Sequence, residues 1–223
     1  MKKLNKDARD LILSMAFGDG SINKYSGYLV VRHSVKQKEY IEWKLNLLRS
    51  YGIRTTDIYY VSNNGYGAYE FRTRTYDFIK EMRNYLYTPY KDIANLKHLN
   101  RIDELGLCIW YFDDGGLAQV KDKNGNIKSN TLMLNTMLTK DENQIIIDWF
   151  WNRWGIKFRQ NKNHGKYRLE CGTKEARKFI ELIKPYSKQV PSMAYKLNVK
   201  KSKPILDNTS RVGNSISEVP SDL

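Results

Sequence analysis

Two aspartates, Asp19 and Asp114, each close an apolar run and stand just ahead of a glycine. The first run reads Leu11-Ile12-Leu13-Ser14-Met15-Ala16-Phe17-Gly18-Asp19-Gly20, the second Leu107-Cys108-Ile109-Trp110-Tyr111-Phe112-Asp113-Asp114-Gly115. An asparagine precedes each aspartate by 14 residues, Asn5 and Asn100, and the copies are offset by 95. Both runs predict helices with Asn5 and Asn100 as N-caps. Asp103, three residues after Asn100, resembles the partner in a capping box, with Asp in place of Glu. From cap to aspartate is then about four turns, or roughly 20 Å. Each aspartate falls at a helix C-terminus, where the last carbonyls already carry about half a negative charge. A carboxylate beside such carbonyls asks for a cation, and a hard-oxygen donor set suits Mg²⁺ or Ca²⁺ better than zinc. One Asp-Gly after a helix reads simply as a turn. Two with equal spacing point to a site built between halves of a pseudo-symmetric molecule.

The elements that must position these aspartates also repeat. After Gly20, Tyr28 to Val35 reads as a strand and Lys38 to Tyr51 as a helix, with Tyr40, Ile41, Leu45 and Leu48 at helical spacing. Gly52 stops that helix and Ile53 opens an extended segment. Asn63-Asn64-Gly65 is a turn, Tyr69 to Thr73 a strand and Thr75 to Leu86 a helix. The second half repeats the order. It runs through an extended Gly115–Val120, a strand from Thr131 to Met137, a helix from Lys140 to Trp154, then Gly155-Ile156, a strand from Tyr167 to Cys171 and a helix from Lys174 to Tyr186. The fold class is α+β, a duplicated αββαββα unit. Its halves are 1–95 and 96–200, with 88–99 as linker and 201–223 as a polar, mobile tail. Ser14, Ala16 and Gly18 would let the first helix approach the bulkier second one closely. Trp149, Trp151 and Trp154 read as core.

Charge narrows the partner. Thirty-eight Lys and Arg against 24 Asp and Glu give a net charge of +14, which favours a polyanion, nucleic acid above all. No apolar run approaches the roughly 18 residues of a membrane span, and the start lacks the apolar stretch of a signal peptide. Two cysteines, Cys108 and Cys171, make neither a disulfide framework nor a zinc site. The expectation is an intracellular protein, not secreted and not membrane-bound. Nucleotide hydrolysis is disfavoured because no Gly-rich phosphate loop is present. His33, His98 and His164 are isolated and read as structural or surface residues.

Alternation along the strands predicts half-buried sheets. Leu29, Val31 and Val35 face one way, with Arg32, Ser34 and Lys36 opposite. Tyr69, Phe71 and Thr73 oppose Glu70, Arg72 and Arg74, while Tyr167, Leu169 and Cys171 oppose Lys166, Arg168 and Glu170. Arg32, Ser34, Lys36, Arg72, Arg74, Lys166, Arg168 and Glu170 are the candidate nucleic-acid contacts. Arg32, Arg72, Arg74 and Arg168 lead, because arginine pairs bidentately with guanine.

The two signature helices resemble those of the LAGLIDADG homing endonucleases, over roughly residues 5 to 200. That resemblance implies a two-motif, single-chain enzyme with saddle-shaped antiparallel sheets. It implies metal binding at the eighth motif position, here Asp19 and Asp114. Their neighbours Gly18 and Asp113 complete the candidate metal set, for Mg²⁺, with Mn²⁺ or Ca²⁺ able to take the same sites. It also implies one basic residue per half that polarises the water nucleophile. Pro191-Ser192-Met193-Ala194-Tyr195-Lys196-Leu197 resembles the family segment carrying the second, so Lys196 is the candidate. In the first half Lys91 lies 23 residues before Asp114, with Lys97 as rival because the family's nearby proline is missing. Phe17 and Ile109 also depart from the consensus, at positions that do not bind metal. The implied activity is a site-specific double-strand break in a long, near-asymmetric duplex target, cut across the minor groove to leave short 3′ overhangs. A monomer is implied. Intron RNA binding, as a maturase, and non-catalytic DNA binding are the competing functions. The two retained aspartates weigh against the last.

Overall fold

The two aspartate-bearing runs are helices in the computed structural model, which describes residues 5–63 and 65–199. The first, α1 (Lys6–Phe17), starts where the Asn5 side chain accepts from the Ala8 N–H at 2.9 Å. Three short segments follow, β1 (Ser21–Ile22), β2 (Leu29–Ser34) and α2 (Lys38–Ser50), then the hairpin β3 (Tyr59–Asn63) and β4 (Tyr66–Arg72), and α3 (Asp77–Leu86). After a short helix α4 (Leu96–Leu99) comes the second signature helix, α5 (Glu104–Asp114). The second half continues through β5 (Gly115–Lys121), β6 (Ile127–Leu138), α6 (Lys140–Trp154), β7 (Arg159–Asn163), β8 (Lys166–Gly172) and α7 (Thr173–Ser187). The duplicated αββαββα order is therefore present. The 201–223 segment lies outside the described residues.

One cap differs from expectation. Asp103, not Asn100, caps α5, accepting from the Gly106 N–H at 2.8 Å. Asn100 instead ends α4, and its side chain accepts from Trp149 Nε1 at 3.1 Å. The buried Ile102 sits between the two helices, so the chain turns there rather than running on as one longer helix.

Each half contributes one antiparallel four-stranded sheet, ordered β1-β2-β4-β3 and β5-β6-β8-β7. Leu29, Val31 and Phe71 of the first sheet are buried with Tyr40, Ile41 and Leu48 of α2. Leu132, Leu134, Leu169 and Cys171 of the second are buried with Ile146, Phe150 and Phe179. Each such side chain contributes about 1.5–3 kcal/mol on leaving water. Val35 is a correction. It lies in a 3₁₀ turn with Lys36, is 43% exposed, and His33 takes the inward position before it. Trp151 is another, 49% exposed where Trp149 is buried.

Every residue of α5 from Leu105 to Phe112 is buried, as is every residue of α1 from Asp10 to Phe17, because these helices are enclosed on all sides. They pack against each other in the same sense. A Cβ on Gly106 would lie 2.5 Å from Ser14 Oγ, and one on Gly18 would lie 2.1 Å from Asp113 Oδ2. Phe17 packs edge-on against Trp110, with ring centroids 5.3 Å apart. Of the small residues on this seam, Gly106 was the one whose role the sequence did not announce. Gly106→Val should destabilise the protein by about 1–3 kcal/mol through overpacking, measured by urea unfolding.

At the start of α6, Thr139 Oγ1 and Glu142 form a reciprocal capping box. The Thr139 contacts hold the Glu142 carboxyl below its ordinary range. A depressed carboxyl stabilises the fold above its unfolded value and loses that contribution as pH falls through the folded one. Thr139→Ala should therefore cost about 1 kcal/mol near neutrality. Part of that difference should vanish in melts below about pH 4.

Candidate active site and nucleic-acid face

The parallel packing of α1 and α5 brings two negative helix ends together, with Asp19 just past one and Asp114 closing the other. Burial and the charge of Asp113 push the Asp19 carboxyl above its ordinary value. Burial, then Asp113 and Asp19, push Asp114 up to about 7. In both carboxyls loss of water is the larger cause and the neighbouring aspartates add to it, so each binds its proton more tightly than a free aspartate.

Two lysines answer the helix ends. Lys91 Nζ donates to the Gly18 carbonyl at 2.7 Å and to the Phe17 carbonyl at 3.2 Å. Lys196 Nζ donates to the Phe112 carbonyl at 2.6 Å. Phe17 and Phe112 stand two residues before Asp19 and Asp114, so the lysines occupy matching places. Burial lowers the pKa of both, while the three aspartates nearby oppose that shift. Lys97, the rival, is exposed on α4, where its N–H is tied to the Asn95 cap. The 88–99 stretch is thus more than a linker, since it delivers Lys91. In the other half, Tyr111 Oη donates to the Lys196 carbonyl at 2.7 Å and anchors the 3₁₀ turn Pro191–Lys196.

A third lysine, unforeseen in the sequence, lies beneath. Lys44 is fully buried and donates to both oxygens of Asp113, at 2.7 and 2.8 Å. Tyr40 Oη donates to Asp113 Oδ1 at 2.8 Å, and the Asp19 N–H donates to Asp113 Oδ2 at 3.0 Å. These partners hold the Asp113 carboxyl below the ordinary range despite its burial. His33, read as isolated, completes the group. It is 3.1 Å from Lys44 Nζ and 3.6 Å from Asp19 Oδ2, and burial with the Lys44 charge drops its pKa to about 3, so the ring is neutral. Ligand atoms of Asp19, His33 and Asp113 all lie within 4.8 Å of one another. Asp113 in that trio is already compensated by an ammonium. No sequence motif marks Lys44 or Tyr40. Both sit at ordinary amphipathic positions of α2, and only the fold turns them toward Asp113.

The second half supports its aspartate differently. The register of β6 against β8 shifts between Leu134 and Leu138. Within that irregularity, Asn135 Nδ2 donates to the Asp114 carbonyl at 2.8 Å.

Arg32, Ser34 and Lys166 are exposed on the sheet faces turned from the helices, Arg72 and Arg168 are half-buried there, and Lys36 and Arg74 are exposed outside the strands. Lys36 is on the 3₁₀ turn and Arg74 follows β4, so neither belongs to the strand rows expected. Glu170, expected as a contact, is buried and bonded to Arg168 and Asn161.

A family model described as the LAGLIDADG DNA endonuclease family matches residues 9–179. The chain belongs to that family. Its motif helices are α1 and α5, and the enzyme is a DNA endonuclease of the LAGLIDADG type. It is 28% identical over 205 residues to the probable intron-encoded endonuclease 1 of Wickerhamomyces canadensis, covering 87% of this chain and 85% of that protein. It is 32% identical over 100 residues to the probable intron-encoded DNA endonuclease 3 of Mycosarcoma maydis, covering 44% of this chain and 66% of that one. The homing endonuclease I-WcaI, solved bound to its DNA recognition sequence, shares the fold with a TM-score of 0.70 and 24% identity over 88% of each chain. Among the described residues of this LAGLIDADG protein, no helix is long and apolar enough to cross a membrane.

Removing one partner of a buried ion pair leaves an uncompensated charge and costs about 3–5 kcal/mol. Lys44→Met should do so here, and adding Asp113→Asn should restore most of the loss. A double-mutant cycle from urea melts measures this coupling.

Proposed function

We propose that this chain is a homing endonuclease that makes a divalent-metal-dependent double-strand break at a long duplex DNA target and leaves short 3′ overhangs. It acts as a monomer, with one centre shared between halves 1–95 and 96–200. The observation that carries this reading is the pair Asp19 and Asp114 at the two converging helix ends, whose carboxyls are both pushed above the ordinary range by burial and by neighbouring aspartates. Such a pair is the donor set of a hard divalent cation, which would relieve the repulsion. Asp19 and Asp114 would hold it, and Mg²⁺ there supplies charge stabilisation to the attacking and leaving oxygens of the phosphodiester.

The remaining steps belong to the protein. Lys91 and Lys196, one beside each aspartate, orient a water through Nζ and neutralise charge as it develops on the phosphate. Their depressed pKa values bring them closer to neutrality, where an amine can also take a proton. Asp113 and Lys44 fix the Asp19 backbone, and His33, neutral, lines the floor. Gly18 contributes its carbonyl to the same end of the site. Exposed arginines and lysines on both sheets meet the phosphates and base edges of the target. That the related I-WcaI was solved on its DNA recognition sequence supports this use of the sheets.

The test is cleavage of a randomised duplex library by the purified protein, with Mg²⁺ and with EDTA. Cleavage at one shared long site, with 3′ overhangs and only with Mg²⁺, is the expected result. Asp19→Asn and Asp114→Asn should each lower double-strand cleavage roughly a hundredfold or more while binding persists. Folded variants that cut like the wild type would sink the assignment.

A further inference from the structure

We infer that Glu70 and Glu170 are specificity-positioning residues, each buried in the nucleic-acid face of its sheet and holding arginines so that their outer edge reads guanine. This rests on the endonuclease reading above and adds how the target is read.

The two glutamates occupy matching places. Glu70 on β4 lies opposite Arg32 on β2 and Tyr59 on β3. Glu170 on β8 lies opposite Met133 on β6 and Arg159 on β7. Both point away from the helices, on a surface meant for a polyanion, where a bare carboxylate would repel phosphate. Yet both are buried, at 0% and 3% exposure, because arginines lie over them. Although burial pushes the other way, their carboxyls are held below the ordinary range, Glu70 by Tyr59, Arg32 and Arg72 and Glu170 by Asn161 and Arg168.

Three of the arginines use the same edge, while Arg159 approaches Glu170 Oε2 through Nη2 alone, at 3.5 Å. Arg32 gives Nε, at 2.8 Å, and Nη2 to one oxygen of Glu70. Arg72 donates Nε at 2.8 Å to the other, with Nη2 at ion-pair distance, 2.8 Å, from the same oxygen, which also accepts from Tyr59 Oη. Arg168 donates Nε at 2.9 Å to Glu170 Oε1, with Nη2 at ion-pair distance, 2.8 Å, from that oxygen, which also accepts from Asn161 Nδ2 at 3.0 Å. A guanidinium carries five N–H groups in a rigid fork. With the Nε–Nη2 edge taken, the end formed by Nη1 and the outer Nη2 hydrogen remains. That end matches the O6 and N7 acceptors of guanine in a major groove.

A surface ion pair formed only for stability would be worth little. Here the carboxylate is buried while the Arg32 and Arg72 side chains stay 47% and 43% exposed, so an oriented donor faces outward. The Arg72 guanidinium also lies over the rings of Tyr28 and Tyr59, at 5.7 and 5.8 Å, which further limits its rotation. Arg32, Glu70 and Arg72 line one cleft of about 610 Å³ with Asp19. The guanines read by the first sheet therefore lie toward the cut rather than at the far end of the half-site.

The experiment is the base-preference profile of the full chain, read from cleavage of a library varied at every position of its site. Wild type should favour G·C at one or two positions of each half-site by roughly ten- to a hundredfold. Glu70→Gln should reduce that preference to a few-fold in one half-site and leave the other unchanged. Glu170→Gln should do the converse. Arg72→Lys, which keeps the charge and loses the fork, should lose guanine preference at a position that Glu70→Gln also affects, and it carries the test should Glu70→Gln fail to fold. Guanine preferences that survive Glu70→Gln and Arg72→Lys, with overall cleavage lowered uniformly, would overturn the inference alone. No shared site for the wild type would overturn the endonuclease reading and this inference with it.

Discussion

Like charge brought together by helix packing is the constraint on which the rest of the structure depends. Two enclosed helices run side by side in the same sense, so their negative ends and three aspartates converge. Unanswered, that concentration of negative charge would push the helices apart. Three lysines meet it, each at a distinct point. Lys91 and Lys196 take the terminal carbonyls, and Lys44 takes Asp113. The compensation stops short of Asp19 and Asp114, whose carboxyls keep raised pKa values. Stability is spent on closing the helix ends, and the leftover electrostatic demand is what a cation can satisfy.

The halves are alike in backbone and unlike beneath the aspartates. Behind Asp19 stands a buried polar group of Lys44, Tyr40, His33 and Asp113. Behind Asp114 stands an irregularity in β6 that aims Asn135 at its carbonyl. Irregularities of this kind are common beside active sites because they re-aim a side chain without disturbing the ladder on either side. Gly18 and Asp113, equivalent by the repeat, show the division of labour. One has no side chain so that the other's carboxylate can fill the gap between helices. A perfectly symmetric pair of aspartates would have collided there.

The sheets face a related problem on their outer surface. They must present positive charge to a polyanion with defined direction, and long cationic side chains lose direction to rotation. Buried carboxylates in matching registers on β4 and β8 restrain the guanidinium groups while the rest of the surface stays basic.

Much of this was legible in the sequence. The duplicated apolar runs, the repeated Gly-Ile stops and the strand alternation are local signals, and they determined the αββαββα halves and the two aspartates, whereas Lys91 and Lys196 were implied only by the family resemblance, with Lys97 as a rival. Asn100 and Asp103 are both good caps by residue type, and only the tertiary burial of Ile102 settles α5 on Asp103. Tyr40 carried only the signal of a helix's apolar face, His33 read as isolated, and nothing in the sequence marked Lys44. Their meaning comes from contacts with Asp113 that span 69 to 80 residues of sequence. The sequence by itself determined which residues carry charge and how the elements repeat, because periodicity and composition are properties of neighbours. Tertiary structure alone decided which charges are paired and which are left unsatisfied, because burial and distance between remote residues exist only once the helices pack.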